Sequence, residues 1–176
     1  MHRLLYPRMY VPSILEIKPE ELRKNGIKAL LLDLDNTIVP RDRDKFSPEI
    51  TAWLQELKET GFQLCIVSNN STSRVNSLAA PLQIPCVVRA VKPLRQAFVR
   101  ALDLLGVTAG ETAVVGDQIF TDILGGNRLG LFTILVVPME GKEFWATKLI
   151  NRRLEKPVLA RISRRVSLKD KKYYVR

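Results

Sequence analysis

Continuous apolar segments, each separated from the next by a helix-like stretch, constrain the fold of this chain more than any other feature. The segments are residues 28–35, 62–69, 112–117 and 131–137, with a weaker fifth at residues 86–88. Strands that are covered by helices on both faces are apolar throughout rather than alternating. The pattern therefore predicts an α/β fold: a three-layer, doubly wound, Rossmann-like parallel sheet.

The stretches between the apolar segments contain helix start and stop residues. Ser47 is a predicted N-cap with Pro48 at the first helical position, and the helix that follows ends near Gly61. Three further predicted helices span residues 71–80, 93–105 and 120–129. Glycine follows the last two, as is common at helix C-termini.

The chain divides into three parts around this core. Residues 1–27 form a predicted prefix that packs on the core, and residues 28–140 form the core itself. Residues 141–176 form a predicted basic, helical extension. A chain of 176 residues suits one domain with these two additions.

The net charge of +10 is concentrated near the C-terminus. Residues 148–176 contain eleven Lys or Arg side chains against Glu155 and Asp170. Such a segment favours phosphate-rich partners, namely anionic lipid or nucleic acid. The alternative is a solvated segment that only adds solubility.

Apolar residues recur every fourth position in this segment, between arginines: Ile150, Leu154, Val158, Ile162 and Val166. An apolar stripe flanked by arginine is typical of a helix lying on an anionic membrane, and it predicts peripheral membrane contact. Before Pro157, a helix that packs its stripe on the core is an equal alternative.

The remaining composition limits where in the cell we expect the protein and which side chains are available for catalysis. No segment approaches the roughly 20 apolar residues of a membrane span, and no export signal is visible. We therefore expect a cytoplasmic protein, at most peripheral on the membrane. The single histidine is His2, and Cys65 and Cys86 are the only cysteines. These numbers exclude histidine-based triads and thiolate zinc sites, which leaves carboxylate, hydroxyl and lysine for catalysis.

Polar side chains follow the predicted strands where the strands end. In chain order they are Asp33, Asp35, Thr37, Ser68, Asn69, Lys92, Asp117 and Asp122. Ligands of open α/β sheets bind at the carboxyl ends of the strands, so we expect these residues to converge. Singly, each is an ordinary turn or cap residue. Together, the carboxylates would repel one another, and a hard cation such as Mg²⁺ relieves that repulsion.

The order of these residues resembles the haloacid dehalogenase superfamily of phosphotransferases. The pattern of that superfamily is DxDxT, then Ser or Thr, then Lys, then a GDxxxxD-type motif. Residues 33–37 read DLDNT and residues 116–122 read GDQIFTD, with Ser68 and Lys92 between them. The resemblance covers residues 28–138 and implies a phosphatase, because phosphatases of the superfamily have aspartate at the position of Asp35.

The resemblance implies catalytic roles for three side chains. Asp33 would be the nucleophile that forms an aspartyl phosphate, and Asp35 the general acid and then the general base. Lys92 would supply positive charge to the phosphoryl group. Ser68 and the main chain of Asn69 would donate to phosphate oxygens, while Thr37 orients the nucleophile loop.

The same resemblance implies a Mg²⁺ cofactor. Its ligands would be Asp33, the main-chain carbonyl of Asp35, and Asp117. Asp122 would act indirectly or through water.

Members of the superfamily usually recognise substrate with a cap domain, and this chain has no room for one. Nine residues separate Thr37 from Ser47, and 23 separate Ser68 from Lys92. The site should be open, which favours a macromolecular or surface-bound phosphate. The capless arrangement, with DLDNT, SNN and a prefix rich in proline and tyrosine, resembles the class IIIA phosphatidylglycerophosphate phosphatases. The resemblance implies an anionic phospholipid as substrate.

Three other functions remain open from the residues: a phosphatase for a soluble, a protein or a polynucleotide phosphate. Nucleic acid is disfavoured as a partner, because Trp53 and Phe62 fall in predicted core elements rather than on a basic stacking surface. A non-enzymatic, receiver-like phospho-acceptor is a further alternative. Asp35 argues against it, because a phospho-acceptor needs no acid for a leaving group. The motifs leave the oligomeric state undetermined.

Overall fold

A computed structural model describes residues 2–139, 160 and 173–174. Its strands are β1 (Met9–Val11), β2 (Ala29–Leu32), β3 (Gln63–Val67), β4 (Cys86–Val87), β5 (Thr112–Gly116), β6 (Phe132–Val136) and β7 (Tyr173–Tyr174). They form one sheet in the order β4-β3-β2-β5-β6-β1-β7. Six strands are parallel, and β7 pairs antiparallel with β1. Apart from residues 160 and 173–174, the predicted basic extension lies outside the described residues.

The helices are α1 (Pro19–Lys24), α2 (Pro48–Glu59), α3 (Thr72–Ala79), α4 (Arg95–Leu105) and α5 (Leu124–Leu129). One π-helical turn, Ile119–Ile123, leads into α5. Short 3₁₀ turns lie at His2–Leu5, Ile14–Glu16, Ala80–Leu82 and Ala109–Glu111. Among the described residues, no helix has both the length and the apolar content needed to cross a bilayer.

Helices cover both faces of the sheet, which confirms the predicted doubly wound fold. Successive side chains of a strand point to opposite faces. On β2, Leu30 and Leu32 join the core formed with α1, α2 and α3, while Leu31 joins the core formed with α4. The two cores explain why the strands are apolar at every position.

Helix α2 forms where its cap residues predict it. Ser47 Oγ accepts a hydrogen bond from the Ile50 N–H at 3.3 Å, and Pro48 occupies the first position. Ile50 and Trp53 lie on the buried face, and the Trp53 indole N–H donates to the Ile17 carbonyl at 3.0 Å. This last bond ties the N-terminal prefix to the core.

The N-terminal prefix also adds a strand to the sheet, and the sequence pattern does not predict this strand. Strand β1 pairs in parallel with β6, and Met9 and Val11 are fully buried. Three residues are too few for a recognisable period, so only the pairing with β6 shows them to be a strand.

The winding of the chain reverses between β2 and β5. From β2 the chain proceeds through α2 to β3, and after β4 it returns through α4 on the opposite face to β5. In doubly wound sheets the carboxyl ends at such a reversal border an open crevice. Asp33 follows β2 and donates its N–H to the Val115 carbonyl of β5 at 2.9 Å. The crevice therefore lies between the ends of these two strands.

Helix α5 approaches the sheet closely through two glycines. A Cβ atom on Gly126 would lie 2.4 Å from Val114 Cγ1 and 2.8 Å from Thr133 Cγ2. A Cβ on Gly125 would lie 2.4 Å from Phe98 Cε2. Both positions need glycine because β-branched and aromatic side chains of the core occupy that space.

We predict that Gly126→Ala lowers the free energy of unfolding by about 1–3 kcal/mol, the usual cost of overpacking a core. The loss should appear although alanine is intrinsically better in a helix by about 1 kcal/mol. Urea unfolding measures the change. Gly110→Ala is the control, because no heavy atom lies within 4 Å of a Cβ at that position. Equal stability of the two variants would contradict the close approach of α5.

Candidate active site

A buried ion-pair network lies at the carboxyl ends of β2 and β5. Lys92 Nζ donates to Asp33 Oδ1 at 2.5 Å and to Asp122 Oδ1 at 2.7 Å. All three residues are at least nine-tenths buried. The lysine therefore connects the predicted nucleophile to the last acidic residue of the GDQIFTD motif.

The network keeps Lys92 charged. Burial by itself would lower the pKa of the Lys92 ammonium, because a charged group loses solvation. The carboxylates of Asp122 and Asp33 outweigh that effect and raise its pKa above the ordinary value. Lys92 is thus a fixed positive charge beside the Asp33 carboxylate.

Three carboxylates form an acidic cluster around the crevice. Oxygens of Asp33, Asp117 and Asp122 all lie within 4.8 Å of one another. The Thr37 hydroxyl lies 3.2 Å from Asp33 Oδ2 and 3.4 Å from Asp117 Oδ1, so it bridges the two strand ends. A compact set of carboxylate oxygens matches the ligand preference of Mg²⁺. The residues present therefore fit a divalent cation.

Asp122 is held from several sides. Its Oδ2 accepts the Gln118 N–H at 3.3 Å and the Thr121 hydroxyl at 3.2 Å, while Oδ1 accepts Lys92. Burial raises the pKa of Asp122, and the adjacent Lys92 opposes the rise. Asp122 thus holds Lys92 in place, while its indirect part in metal binding stays a prediction.

Gly116 makes room for Asp122. A Cβ on Gly116 would lie 2.3 Å from Asp122 Cγ, closer than non-bonded carbons come. The glycine of the GDQIFTD motif is therefore a steric requirement of the buried carboxylate.

Asp35 has a different environment from Asp33. Its Oδ1 accepts from Arg74 Nη1 and its Oδ2 from Asn70 Nδ2, each at 2.5 Å. Burial raises the pKa of Asp35; Arg74 opposes the rise and the charge of Asp33 adds to it. The side chain remains partly exposed, at 17%. A carboxyl with a raised pKa, oriented and within reach of solvent, has the properties of a general acid.

A tight turn separates the two aspartates from Thr37. Asn36 has a φ of +60°, a conformation that asparagine tolerates better than most residues. Its N–H donates to the Val39 carbonyl at 2.7 Å, and its Oδ1 accepts the Arg41 N–H at 3.2 Å. The turn brings the Thr37 hydroxyl back to the Asp33 carboxylate.

The residues after β3 support the network. Asn69 Oδ1 accepts the Lys92 main-chain N–H at 2.8 Å, so its side chain holds the loop that carries the lysine. Ser68 Oγ accepts the Asn70 N–H at 3.1 Å, which orients the partner of Asp35. Together with the contacts above, every site residue predicted from the sequence lies in one connected cluster.

Asn70 and Arg74 contact Asp35 in this cluster but were not among the predicted site residues. Besides Asp35, the Arg74 guanidinium donates to the Arg43 carbonyl at 2.7 Å and to the Arg41 carbonyl at 3.2 Å. Arg74 thereby joins Asp35 to the loop that follows the first motif. Asn70 belongs to the SNN triplet, and Arg74 lies one helical turn later. The position of Arg74 four residues after Asn70 was the sequence feature from which its place near the site could have been predicted.

The chain is similar to several known proteins. The family model described as "Hydrolase: haloacid dehalogenase-like hydrolase" matches residues 5–130. The probable phosphatase YqeG of Bacillus subtilis is 39% identical over 94% of this chain and 95% of its own length. Phosphatidylglycerophosphate phosphatase 1 of Arabidopsis thaliana is 26% identical over 99% of this chain, which spans 49% of that protein.

A solved structure shares the fold. The cobalt-bound deoxy-D-mannose-octulosonate 8-phosphate phosphatase of Haemophilus influenzae matches 64% of this chain and 69% of its own. The TM-score is 0.53 at 18% identity. With the family model covering most of the chain and a phosphatase from Bacillus subtilis matching nearly its whole length, the protein belongs to the haloacid dehalogenase-like hydrolases and is a phosphatase of that superfamily.

Proposed function

We propose that the protein hydrolyses phosphatidylglycerophosphate by a Mg²⁺-dependent mechanism with an aspartyl-phosphate intermediate at Asp33. The observation that carries the chemistry is the pair of aspartates with contrasting partners. Asp33 contacts a lysine within an acidic cluster, whereas Asp35 is oriented by Arg74 and has a raised pKa. This division suits one nucleophile and one acid.

In the first step, an Asp33 oxygen attacks phosphorus, and the bond between phosphorus and the ester oxygen breaks. Asp35 gives its proton to the departing oxygen. Lys92 stabilises the negative charge of the phosphoryl group in the transition state. In the second step, Asp35 takes a proton from water, whose oxygen attacks phosphorus and releases Asp33 and phosphate.

The acidic cluster would hold the cation through Asp33 and Asp117, together with the main-chain carbonyl of Asp35. When bound, Mg²⁺ supplies positive charge that reduces the repulsion between the anionic nucleophile and the anionic phosphate. The Thr37 hydroxyl contacts the Asp33 and Asp117 carboxylates and so holds them in position relative to each other. Ser68 and the main chain of Asn69 would donate to phosphate oxygens.

Three observations support a lipid phosphate as substrate. Within residues 2–139, the segments between the motifs contain only loops, short 3₁₀ turns, strands and the helices α2, α3 and α4, with no inserted domain over the crevice. A phosphate held at a surface can reach such a site. Residues 148–176 are strongly basic, which suits an anionic membrane. Finally, relatives at 26% and 27% identity carry the name phosphatidylglycerophosphate phosphatase 1.

We predict that Asp33→Asn abolishes turnover, because an amide is a poor nucleophile and a weaker metal ligand. Asp35→Asn should slow turnover by about 10²–10⁴-fold, the usual contribution of a general acid, and most for esters with poor leaving groups. Steady-state assays with aryl and alkyl phosphates measure both effects. Asp103→Asn, on the exposed face of α4, is the matched control. Full Mg²⁺-dependent activity of Asp33→Asn would disprove the covalent mechanism.

For the metal, we predict that Asp117→Ala eliminates activity or greatly raises the Mg²⁺ concentration required. Excess chelator should stop the wild-type enzyme, and Mg²⁺ should restore it. Ca²⁺ should inhibit, because its larger and looser coordination sphere disturbs the in-line geometry. Turnover that persists undiminished in chelator would contradict the cation site.

The substrate is tested with a panel assayed with and without Mg²⁺. It contains phosphatidylglycerophosphate in detergent micelles and in vesicles, a soluble aryl phosphate, a phosphopeptide and a 5′-phosphorylated oligonucleotide. We expect the highest kcat/KM for the lipid. Hydrolysis of the soluble ester without any lipid hydrolysis would support phosphatase activity but contradict the proposal of a lipid substrate.

A further inference from the structure

Exposed apolar side chains gather beside the catalytic lysine. Val91 is 61% exposed, Leu94 is 50% exposed and Val99 is 38% exposed. Leu94 and Val99 line a groove along the first half of α4. A cluster of large apolar side chains on a surface commonly marks a contact with a protein or a membrane.

The loop between β4 and α4 links this cluster to the active site. Lys92 turns inward to Asp33, while Val91 before it and Leu94 after it face solvent. A hydrogen bond of 3.0 Å from the Leu94 N–H to the Val91 carbonyl closes the turn. Any surface that contacts Val91 and Leu94 therefore lies next to the crevice that contains Asp33.

Arginines surround the apolar cluster. Arg95, Arg100 and Arg128 line the same groove, and all three are exposed. In the described part of the chain, no carboxylate lies within salt-bridge distance of any of them. We call these arginines, with Val91, Leu94 and Val99, the α4 surface. It combines apolar side chains with positive charges that lack an acidic partner among the described residues.

We propose that the α4 surface docks the enzyme on an anionic lipid bilayer. The inference rests on the proposed lipid substrate and adds the surface that meets it. Charge complementarity selects this occupant. A second copy of the chain carries a net charge of +10, and residues 148–176 are themselves strongly basic, so both would be repelled by the arginines.

Docking in this orientation would bring the open crevice next to the bilayer. Val91, Leu94 and Val99 would enter the boundary between headgroups and acyl chains, and the arginines would meet lipid phosphates. Because Lys92 lies in the loop that carries Val91, the bilayer surface would face the crevice. The headgroup phosphate could then reach Asp33 while the acyl chains stay in the membrane.

The test measures binding of the full chain to vesicles of phosphatidylcholine with and without phosphatidylglycerol. Arg95→Gln/Arg100→Gln should weaken binding to the anionic vesicles by about fivefold per arginine, which makes about twenty-five-fold for the pair. Added salt should reduce this difference. Leu94→Gln/Val99→Gln should also weaken binding, by about fivefold or more, through lost apolar burial. Neither variant should change hydrolysis of the soluble aryl phosphate.

Matched controls come from the rest of the surface. Leu104→Gln changes an exposed leucine at the other end of α4, and Lys24→Gln/Lys28→Gln removes two exposed charges elsewhere. Both should bind anionic vesicles like wild type. If the α4-surface variants also bind like wild type, or if wild type does not bind anionic vesicles, the proposal is wrong.

Two further measurements separate this proposal from others. The first is vesicle binding after deletion of the residues that follow Pro157. If this deletion abolishes binding and the α4-surface variants have no effect, the membrane contact belongs to the basic segment and the proposal is wrong. The lipid in detergent micelles tests the substrate separately. If the wild-type enzyme does not hydrolyse the micellar lipid but binds anionic vesicles through the α4 surface, the proposed substrate is wrong and the docking surface is supported.

Discussion

The contacts of Lys92 with Asp33 and Asp122 are the interaction on which the rest of the site depends. Charges buried to this degree are costly unless they are paired, and removing one partner typically costs about 3–5 kcal/mol. The three residues follow three different strands. The network therefore forms only when the central sheet is complete, and the contacts that pair the buried charges are also those of the proposed active site.

The sheet topology explains why this buried network lies at the carboxyl ends of the strands, beside a crevice. The chain winds to opposite faces after β2 and β5, so none of the helices described within residues 2–139 closes the crevice between their ends. Elsewhere the packing is tight, with α5 seated on Val114 and Thr133 through Gly126. A rigid scaffold with one open edge can hold charged groups in place while a phosphate on a larger partner reaches them.

The two aspartates of the first motif have different contacts, which is the basis for the different roles proposed for them. Asp33 contacts an ammonium and a hydroxyl inside an acidic cluster, whereas Asp35 receives hydrogen bonds from Arg74 and Asn70. Arg74 also binds carbonyls of the following loop, so the orientation of Asp35 is coupled to that loop.

Local pattern in the sequence determined the buried strands, the helices that connect them and the aspartates, serine and lysine at the strand ends. These features depend on residues that are near one another in the sequence, through apolar runs, caps and motif spacing. They can therefore be predicted without knowledge of the tertiary structure. Tertiary structure alone decided that Met9–Val11 joins β6, that Asn69 holds the Lys92 loop through its side chain, and that Arg74 reaches Asp35. Those contacts join residues 23 to 125 positions apart, and sequence pattern carries no record of such pairings, because they arise only when the sheet brings distant segments together.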